Sequence, residues 1–212
     1  MNRLRTPHER RNDGLADALE KDAVIEVEVE LEGVKPRVFR YFTVRASLSL
    51  HQLHNAIQAV MGWENRHLYM FDVHGVLYGE PDPEMNFKNS RRLFLRDLFE
   101  SRMRYTYDFG DDWHHRVTLS APRNRQPNEF VPRLLAAEGT CPPEDVGGHP
   151  GYAHFLDVLA NPRDPEHLDY LEWAGGSWDP ADFSPEPLQY ALVTTARRGR
   201  WVIGDRRLSP GS

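Results

Sequence analysis

The sequence predicts an α+β fold. A mixed, mostly antiparallel sheet opens with a strand–strand–helix–strand unit, and a second hairpin and a helical C-terminal part follow. Three observations predict this fold. Apolar and polar residues alternate with a period of two over 24–31, which is typical of a strand with one buried face. Over 50–61 apolar residues recur at spacings of three and four, as in an amphipathic helix. A second alternating pattern surrounds a glycine–aspartate turn at 105–119.

The opening unit is predicted element by element. VIEVEVEL at 24–31 is the first strand, EGVKP turns the chain, and RVFRYFTVRA at 37–46 returns as the second strand. Ser49 is a candidate N-cap for the helix and Gly62 is its candidate stop. HLYMFDVHG at 67–75 follows as a strand, so the opening unit is compact and of mixed type.

The rest of the chain is more punctuated. Residues 79–92 form a polar loop whose length indicates either mobility or a function. LFLRDLFES at 93–101 resembles a short helix, and APRNRQPNEFVPR at 121–133 has the composition of a loop. Prolines then separate three expected helical pieces, at about 151–160, 164–174 and 185–198.

Composition and charge bound the organisation. We expect a flexible arm over 1–22, a single α+β domain over 23–198 and an arginine-rich tail over 199–212. Hydrophobic residues make up 40% of the chain, which is enough for a core. The 26 Lys and Arg residues face 32 Asp and Glu residues, and a net charge of −6 disfavours binding to nucleic acid through its phosphates. The arginine-bearing ends, 3–11 and 197–207, keep that alternative open.

Several function classes are excluded. Cys141 is the only cysteine, so no internal disulfide and no cysteine zinc cluster can form. No run resembles a signal peptide or approaches the roughly 20 apolar residues that span a bilayer. We therefore expect a cytoplasmic protein with no membrane partner. The sequence also lacks the phosphate-loop, dinucleotide-binding, zinc-protease and serine-hydrolase motifs.

The hairpin sequence YTYDFGDDWHHRVTL is the first candidate site. Gly-Asp-Asp is expected to make a tight reversal, because glycine and aspartate tolerate positive φ. Trp113 and His115 share a face with the aromatic residues, so His115 is expected to be buried, with Asp108 or Asp111 orienting its ring. One interpretation is a hairpin with a satisfied histidine. The other is a ligand or metal site at the turn.

A second candidate is CPPEDVGGHPGYAHF, residues 141–155. Gly147 and Gly148 give a bend, and Pro150 suits the first turn of a helix. Glu144 and Asp145 would repel a phosphate at that helix start, which favours a rigid turn with acidic capping over an anion site. His54 and His67 lie beside apolar positions, where most histidines are bonded core residues and some contact a ligand.

Three segments resemble one known family. YDFGDDWHH, LHNAIQAVMGWENRHLYMF and CPPEDVGGHPGY are similar to signature segments of the root-inducing-plasmid open-reading-frame-three family, whose members are also labelled transposon-passenger TnpR-like proteins. The resemblance spans about residues 24–195. It carries over to these positions: His54, Gly62, Trp63, His67, Tyr107, Asp108, Phe109, Gly110, Asp111, Trp113, His115, Cys141, Pro142, Pro143, Glu144, Asp145, Gly147, Gly148, Gly151 and Tyr152. Val146 stands where members often have a second cysteine.

The resemblance implies an α+β fold and no established activity. The chain has no serine-recombinase constellation in its ordered part, so the TnpR-like label is not expected to mean recombination. Our first hypothesis is a cytoplasmic binding or accessory module, with a polar groove for a protein or small-molecule partner. The expected ligand-binding residues are His54, His67, Tyr107, Asp108, Asp111, Trp113, His115, Glu144 and Asp145.

The second hypothesis is a metal-dependent hydrolase or nuclease. Asp111, His115 and Glu144 are the expected metal ligands, with Asp108 and Asp145 as further candidates. The ion they hold would be zinc, manganese or iron and would activate water. The third hypothesis is DNA binding through the arginine-bearing ends.

Overall fold

The computed structural model describes residues 22–180 and 183–199. Within these ranges one sheet contains eight strands in the order β5-β4-β3-β6-β7-β1-β2-β8. All neighbours are antiparallel except β4 and β5. The strands are β1 Val24–Leu31, β2 Val38–Arg45, β3 Tyr69–Val73, β4 Val76–Gly79, β5 Lys88–Asn89, β6 Arg102–Tyr107, β7 Trp113–Leu119 and β8 Arg133–Glu138. The helices are α1 Leu50–Met61, α2 Gly148–Ala160, α3 His167–Trp173 and α4 Pro185–Gly199.

This architecture confirms the predicted α+β class and its mostly antiparallel sheet. The predicted opening of two strands, a helix and a strand is present as β1, β2, α1 and β3. The expected arm over 1–22 and tail over 199–212 lie outside the described residues, apart from residues 22 and 199.

The opening hairpin forms the centre of one half of the sheet. β1 pairs with β2 from Val24↔Arg45 to Leu31↔Val38, and its other edge pairs with β7. Val27 and Val29 are completely buried, whereas the neighbouring Glu26, Glu28 and Glu30 are half-buried. The alternation in the sequence therefore reports a strand with a single core face.

Helix α1 packs its apolar side into this core. Ser49 caps its first turn: the Ser49 hydroxyl accepts the Gln52 backbone N–H, and the Gln52 side chain accepts the Ser49 N–H. Gly62 ends it at φ 84, where a side chain would be strained. Both predicted ends of the helix are confirmed.

Arg40 ties the end of α1 to the sheet. Its guanidinium is only 1% exposed and donates to four backbone carbonyls. The acceptors are Val60 in the last turn of α1 at 2.7 Å, Phe39 at 2.8 Å, Glu138 at 2.6 Å and Gly139 at 2.9 Å. The last carbonyls of a helix lack internal partners and carry partial negative charge, so they suit a buried cation.

Three strands were not predicted. β4 follows β3 through a two-residue turn in which His74 and Gly75 both have positive φ, the conformation that a tight hairpin requires. β5 is two residues long, and β8 is an edge strand whose residues are mostly exposed. The prediction of a short helix at 93–101 is wrong. Two single 3₁₀ turns occupy Ser90–Arg92 and Leu95–Asp97, because Phe94 between them is extended and bridges to Ser49.

The second hairpin is confirmed as β6 and β7, with Trp113, His115 and Val117 on the buried face. The predicted Gly-Asp-Asp reversal is present but is longer than expected, because Asp108 and Phe109 also belong to the turn. Five residues, 108–112, connect the strands, and the positive φ values fall on Asp108 and Asp112. The Asp108 carboxylate accepts the Gly110 N–H at 2.9 Å and its carbonyl accepts the Asp112 N–H at 2.6 Å. The turn is therefore held by hydrogen bonds to Asp108, and Gly110 does not supply a positive φ.

The C-terminal helices agree with the expected pieces. α2 begins at Gly148, earlier than expected, and Pro150 lies in its first turn. α3 is shorter than expected, and α4 packs Leu192, Val193 and Ala196 against the core.

Candidate functional site

The segments that carry the three motifs meet around the end of β6. Trp63, just after α1, stacks on Tyr107 with ring centroids 5.1 Å apart. Its indole N–H donates to the carbonyl of Pro142 at 2.9 Å. The loops after α1 and before α2 are therefore held against the β6–β7 hairpin by buried aromatic rings.

The loop over 63–67 is anchored residue by residue. The backbone N–H of Glu64 donates to the Glu144 carboxylate at 2.7 Å, and that of Asn65 donates to the Gln58 side chain at 3.1 Å. The N–H of Arg66 donates to the Tyr107 hydroxyl at 3.0 Å. This loop consequently has a fixed path between α1 and β3.

Glu144 and Tyr107 form a partly buried pair. The Tyr107 hydroxyl donates to the second carboxylate oxygen of Glu144, whose side chain is only 10% exposed. Burial raises the pKa of Tyr107, and the hydrogen bond and charge of Glu144 raise it further. The phenol therefore stays protonated and donates to the carboxylate at neutral pH.

His67 lies at the centre of a cluster of carboxylates. Its Nε2 is 2.8 Å from Asp145 Oδ1, 3.5 Å from Asp108 Oδ2 and 3.9 Å from Glu144 Oε1. The imidazole side chain is about 30% exposed, so the cluster lies at the edge of the solvent. Carboxylates gathered around one ring nitrogen attract a cation, because opposite charges at these distances interact favourably.

Asp108 and Asp145, whose carboxylates contact His67, both have a left-handed backbone conformation. Asp108 has φ 55, and its Oδ1 is held by the Gly110 N–H, which leaves Oδ2 facing the imidazole. Asp145 has φ 60 in the loop before α2. Aspartate adopts this conformation more readily than most residues, so the backbone positions both side chains.

His67, Asp108 and Asp145 each offer a ligand atom, and these atoms lie within 4.8 Å of one another. Ligands that share an ion at 2.3–2.6 Å, as around Ca²⁺, can lie up to about 5 Å apart. An ion with bonds of about 2.1 Å spans at most about 4.2 Å, so ligand atoms at the 4.8 Å limit would have to approach by at least about 0.6 Å. Mixed nitrogen and oxygen ligands suit zinc, manganese or iron.

The expected metal set of Asp111, His115 and Glu144 is differently placed. Asp111 Oδ2 accepts the Gly147 N–H at 3.1 Å, and Glu144 is bound by Tyr107 and Glu64. His115 is completely buried. The triad with ligand-like spacing is instead His67, Asp108 and Asp145. All three were expected to bind ligand, but their separation along the chain gives no spacing signal that would group them.

His115 is held by carbonyls, not by Asp108 or Asp111 as expected. Its Nδ1 lies 3.1 Å from the carbonyl oxygen of Trp113 and 3.3 Å from that of Tyr105, so Nδ1 carries the proton. Burial lowers the pKa of His115 to about 3. Among the described residues its Nε2 has no hydrogen-bond partner. The ring is therefore a neutral core residue.

His54 is also buried. Its ring stacks on Tyr69 at 3.6 Å, and its two nitrogens contact the Tyr105 hydroxyl at 2.8 Å and Asn65 Oδ1 at 2.7 Å. Because Asn65 Oδ1 can only accept, Nε2 carries the proton and Nδ1 accepts from Tyr105. His54 thus links α1 to the 63–67 loop.

The start of α2 is fixed by the hairpin. Acidic capping was expected from Glu144 and Asp145, but the carboxylate that binds Gly147 N–H belongs to Asp111. A Cβ on Gly148 would press on the Asp111 carbonyl, so only glycine fits there. The ring of Trp113 contacts His149 edge-on at 5.0 Å. Cys141 is buried, and burial raises the pKa of its thiol to about 12, which leaves it unreactive.

A model of the plasmid pRiA4b ORF-3-like protein family matches residues 23–187. The chain belongs to this family. The resemblance of its three motifs to the plasmid open-reading-frame-three proteins is therefore confirmed. The segments that meet around Tyr107 all lie within the residues that the family model matches.

Two other proteins are similar to this chain. The uncharacterized protein y4hQ of Sinorhizobium fredii (strain NBRC 101917 / NGR234) is 40% identical over 192 residues, which cover 87% of this chain and 97% of that protein. The crystal structure of MM3350 from Methanosarcina mazei Go1, a protein of unknown function, is 32% identical and superposes with a TM-score of 0.70. That match covers 77% of this chain and 96% of MM3350.

Both similar proteins lack an assigned activity, so the site must be interpreted from its own chemistry. Across residues 22–180 and 183–199, every helix is too short or too polar to cross a membrane.

Proposed function

We propose that this protein is a non-enzymatic binding or accessory module of the cytoplasm. Its ligand site is the junction of the three motifs, where His67, Asp108 and Asp145 hold a divalent cation. The observation that carries this proposal is the position of His67 Nε2 among the carboxylates of Asp108, Glu144 and Asp145.

Charge balance supports a cation at this junction. Three carboxylates approach one imidazole, and the nearby Arg66 is paired with Glu64 instead. A divalent ion would offset the repulsion between Asp108 and Asp145 and would replace the hydrogen bonds of His67 with coordinate bonds. It would thereby connect the loop before α2, the 63–67 loop and the β6–β7 hairpin.

A binding role fits the remaining contacts better than catalysis does. Both carboxylate oxygens of Glu144 already accept hydrogen bonds, from Tyr107 and from the Glu64 N–H. Asp108 Oδ1 is likewise committed to the turn. The polar groups around the cluster therefore fix its geometry and leave its open side for a partner molecule.

The proposal is tested by cation titration of purified, metal-free protein with Mn²⁺ and Zn²⁺, monitored by calorimetry. We expect one ion per chain and at least about tenfold weaker binding in His67→Ala and Asp108→Asn, because each removes a ligand. His154→Ala is the matched control, since His154 is exposed on α2 and pairs with Glu166. Absence of binding in the unaltered protein, or equal affinity in all variants, would contradict the proposal.

Metal-assisted hydrolysis is the second candidate function. The observation in its favour is that His67, Asp108 and Asp145 supply only three ligands, which leaves coordination positions for water and substrate. Hydrolysis of bis(4-nitrophenyl) phosphate by the Mn²⁺-loaded protein, lost in His67→Ala, would favour the enzyme. Stoichiometric Mn²⁺ without turnover would favour the binding module.

The nucleic-acid alternative rests on residues 3–11 and 197–207. Only 197–199 lie within the described part of the chain, and Arg197 and Arg198 are exposed there. DNA binding stays an alternative whose mark would be a steep dependence of affinity on salt.

A further inference from the structure

A cleft of about 800 Å³ lies between α1 and α4, and the 63–67 loop contributes Trp63, Glu64 and Asn65 to its lining. The helices run antiparallel, because Gly62 after α1 lies beside Leu188 near the start of α4. The end of α4, at Arg198, therefore lies beside the start of α1, at His51. The volume is in the range of cavities that hold small molecules, about 300–1,000 Å³.

The walls of the cleft are rich in uncharged hydrogen-bonding groups. α1 contributes Asn55, and α4 contributes Thr194 and Thr195. Within the described residues neither threonine hydroxyl has a hydrogen-bond partner, although both side chains are half-buried. Tyr190, which is 71% exposed, forms a flat aromatic edge at the mouth. Free hydroxyls beside an exposed ring are typical of a site that contacts a polar organic molecule.

The floor of the cleft is rigid. The Gln58 side chain donates to the Tyr105 hydroxyl at 3.0 Å, and that hydroxyl contacts His54, which in turn contacts Asn65. Gln58 and Asn65 both line the cleft, so the wall below a ligand is already ordered. A preformed wall lowers the entropy that binding must offset.

The end of the cleft near His51 is positively charged. Arg91 and Arg198 both line it. Arg91 pairs with Glu80 at 3.0 Å, but the same Glu80 oxygen is also 2.7 Å from His51 Nδ1. Arg198 has no ion pair among the described residues. The two guanidinium groups thus outnumber the single carboxylate at this end, since Glu64, which also lines the cleft, is paired with Arg66. The excess positive charge attracts an anion.

We propose that this cleft binds a small organic molecule that carries a phosphate or carboxylate group. The anionic group lies between Arg91 and Arg198, and the rest of the molecule lies along Thr194, Thr195 and Asn55 towards Tyr190. This site is separate from the proposed cation site and goes beyond the proposed function.

The test uses the full chain in low-salt buffer, with calorimetric titration of three probes. Adenosine 5′-monophosphate represents organic phosphates, citrate represents organic carboxylates, and adenosine is the neutral counterpart of the first probe. We expect saturable binding of one molecule per chain for at least one anionic probe, and at least about tenfold weaker binding of adenosine. The anionic probe that binds identifies the preferred group.

Neighbouring arginines provide matched controls. Arg91→Gln and Arg198→Gln are expected to weaken binding about tenfold each. Arg92→Gln and Arg197→Gln remove equal charge from adjacent positions that do not line the cleft, and they should leave affinity unchanged. All four side chains are exposed, so circular dichroism should show an intact fold.

Three results would overturn the proposal. They are no binding of either anionic probe, adenosine binding as tightly as its monophosphate, or equal losses in all four arginine variants. Cation titration of Arg198→Gln should match the unaltered protein whichever result is found, because Arg198 contributes nothing to the His67 cluster. Failure of the cleft is thereby distinguished from failure of the cation site.

Discussion

The guanidinium of Arg40 is buried against carbonyl oxygens, with no carboxylate among its hydrogen-bond acceptors in the described part of the chain. Burying an unpaired ion is costly, and the arrangement is tolerable because four acceptors are arranged around one planar group. Burial lowers the pKa of Arg40, but from a value so high that the group keeps its charge. A lysine side chain carries the same charge but lacks the planar guanidinium, whose several N–H groups reach all four carbonyls.

Arg40→Lys is therefore expected to lower the free energy of unfolding by about 2–4 kcal/mol, because several buried carbonyls lose their donor. Urea denaturation measures this change. Arg37→Lys is the control, since Arg37 is exposed and pairs with Glu30, and its loss should stay within about 1 kcal/mol. Equal effects at the two positions would contradict the role assigned to Arg40.

Buried histidines make the fold sensitive to acid. Burial lowers the pKa of His115 from an ordinary 6.5 to about 3, so between these values the unfolded chain binds a proton that the folded chain does not. Stability from this group is complete above pH 6.5 and is lost as the pH falls towards 3. Between pH 7 and pH 5 the loss amounts to about 2 kcal/mol.

His115→Gln should remove that loss. The variant is less stable at pH 7 because its packing is imperfect, but its stability should fall by about 2 kcal/mol less between pH 7 and pH 5. Urea denaturation at both pH values gives the difference. His154→Gln changes an exposed ring and should keep the dependence of the unaltered protein. A His115 variant with that same dependence would show that another group titrates.

At the scale of elements, the sequence predicted correctly those helix and strand ends that depend on neighbouring residues. α1 was predicted with both ends because Ser49 and Gly62 each act on the turn of the helix next to them. β8 was missed because it is an edge strand with exposed residues on both faces, and such strands show no alternation. The β6–β7 turn is longer than predicted because Asp108 joins it, and the hydrogen bond from the Asp108 N–H to the Leu68 carbonyl cannot be read from the hairpin's own sequence.

The junction between α2 and the preceding loop depends on Gly151. A Cβ there would overlap the carbonyl oxygen of Val146, which belongs to the same loop as Asp145. Gly151→Ala is therefore expected to displace the loop, to lower the free energy of unfolding by about 2 kcal/mol or more and to weaken cation binding. Urea denaturation and cation titration measure the two effects.

Asp157→Ala is the control on the same helix. Asp157 is exposed, so its stability should change by less than about 0.5 kcal/mol. Wild-type stability in Gly151→Ala would show that the loop can move aside without cost.

On the scale of the whole molecule, the cation cluster joins segments that are remote in sequence. His67, Asp108 and Asp145 were all nominated as ligand-binding residues, but no pattern in the sequence places them together. Their meeting depends on the order of strands in the sheet, which puts β3 beside β6, and on the indole of Trp63, which holds the loop before α2. Long-range pairing of this kind leaves no local periodicity.

Cation binding should therefore stabilise the entire fold. At a free Mn²⁺ concentration 100 times the dissociation constant, the free energy of unfolding is expected to rise by about 2.7 kcal/mol, because the unfolded chain cannot assemble the three ligands. Thermal or urea denaturation with and without Mn²⁺ measures the rise. His67→Ala should show no rise, and an equal rise in both proteins would place the ion elsewhere.

The residue-by-residue anchoring of the 63–67 loop constrains the chain's length. Consecutive backbone amides at Glu64, Asn65 and Arg66 each have a different fixed partner, on the loop before α2, on α1 and on β6. One inserted residue would move every later amide away from its partner, and one deletion would have the same effect. Residues 81–86 are mostly exposed, and the hydrogen bonds of their backbone amides at Glu84 and Met85 go to Asp82 within the same segment, so a change of length there disturbs no distant contact. Insertions and deletions among related proteins should accumulate at 81–86 and should be absent from 63–67.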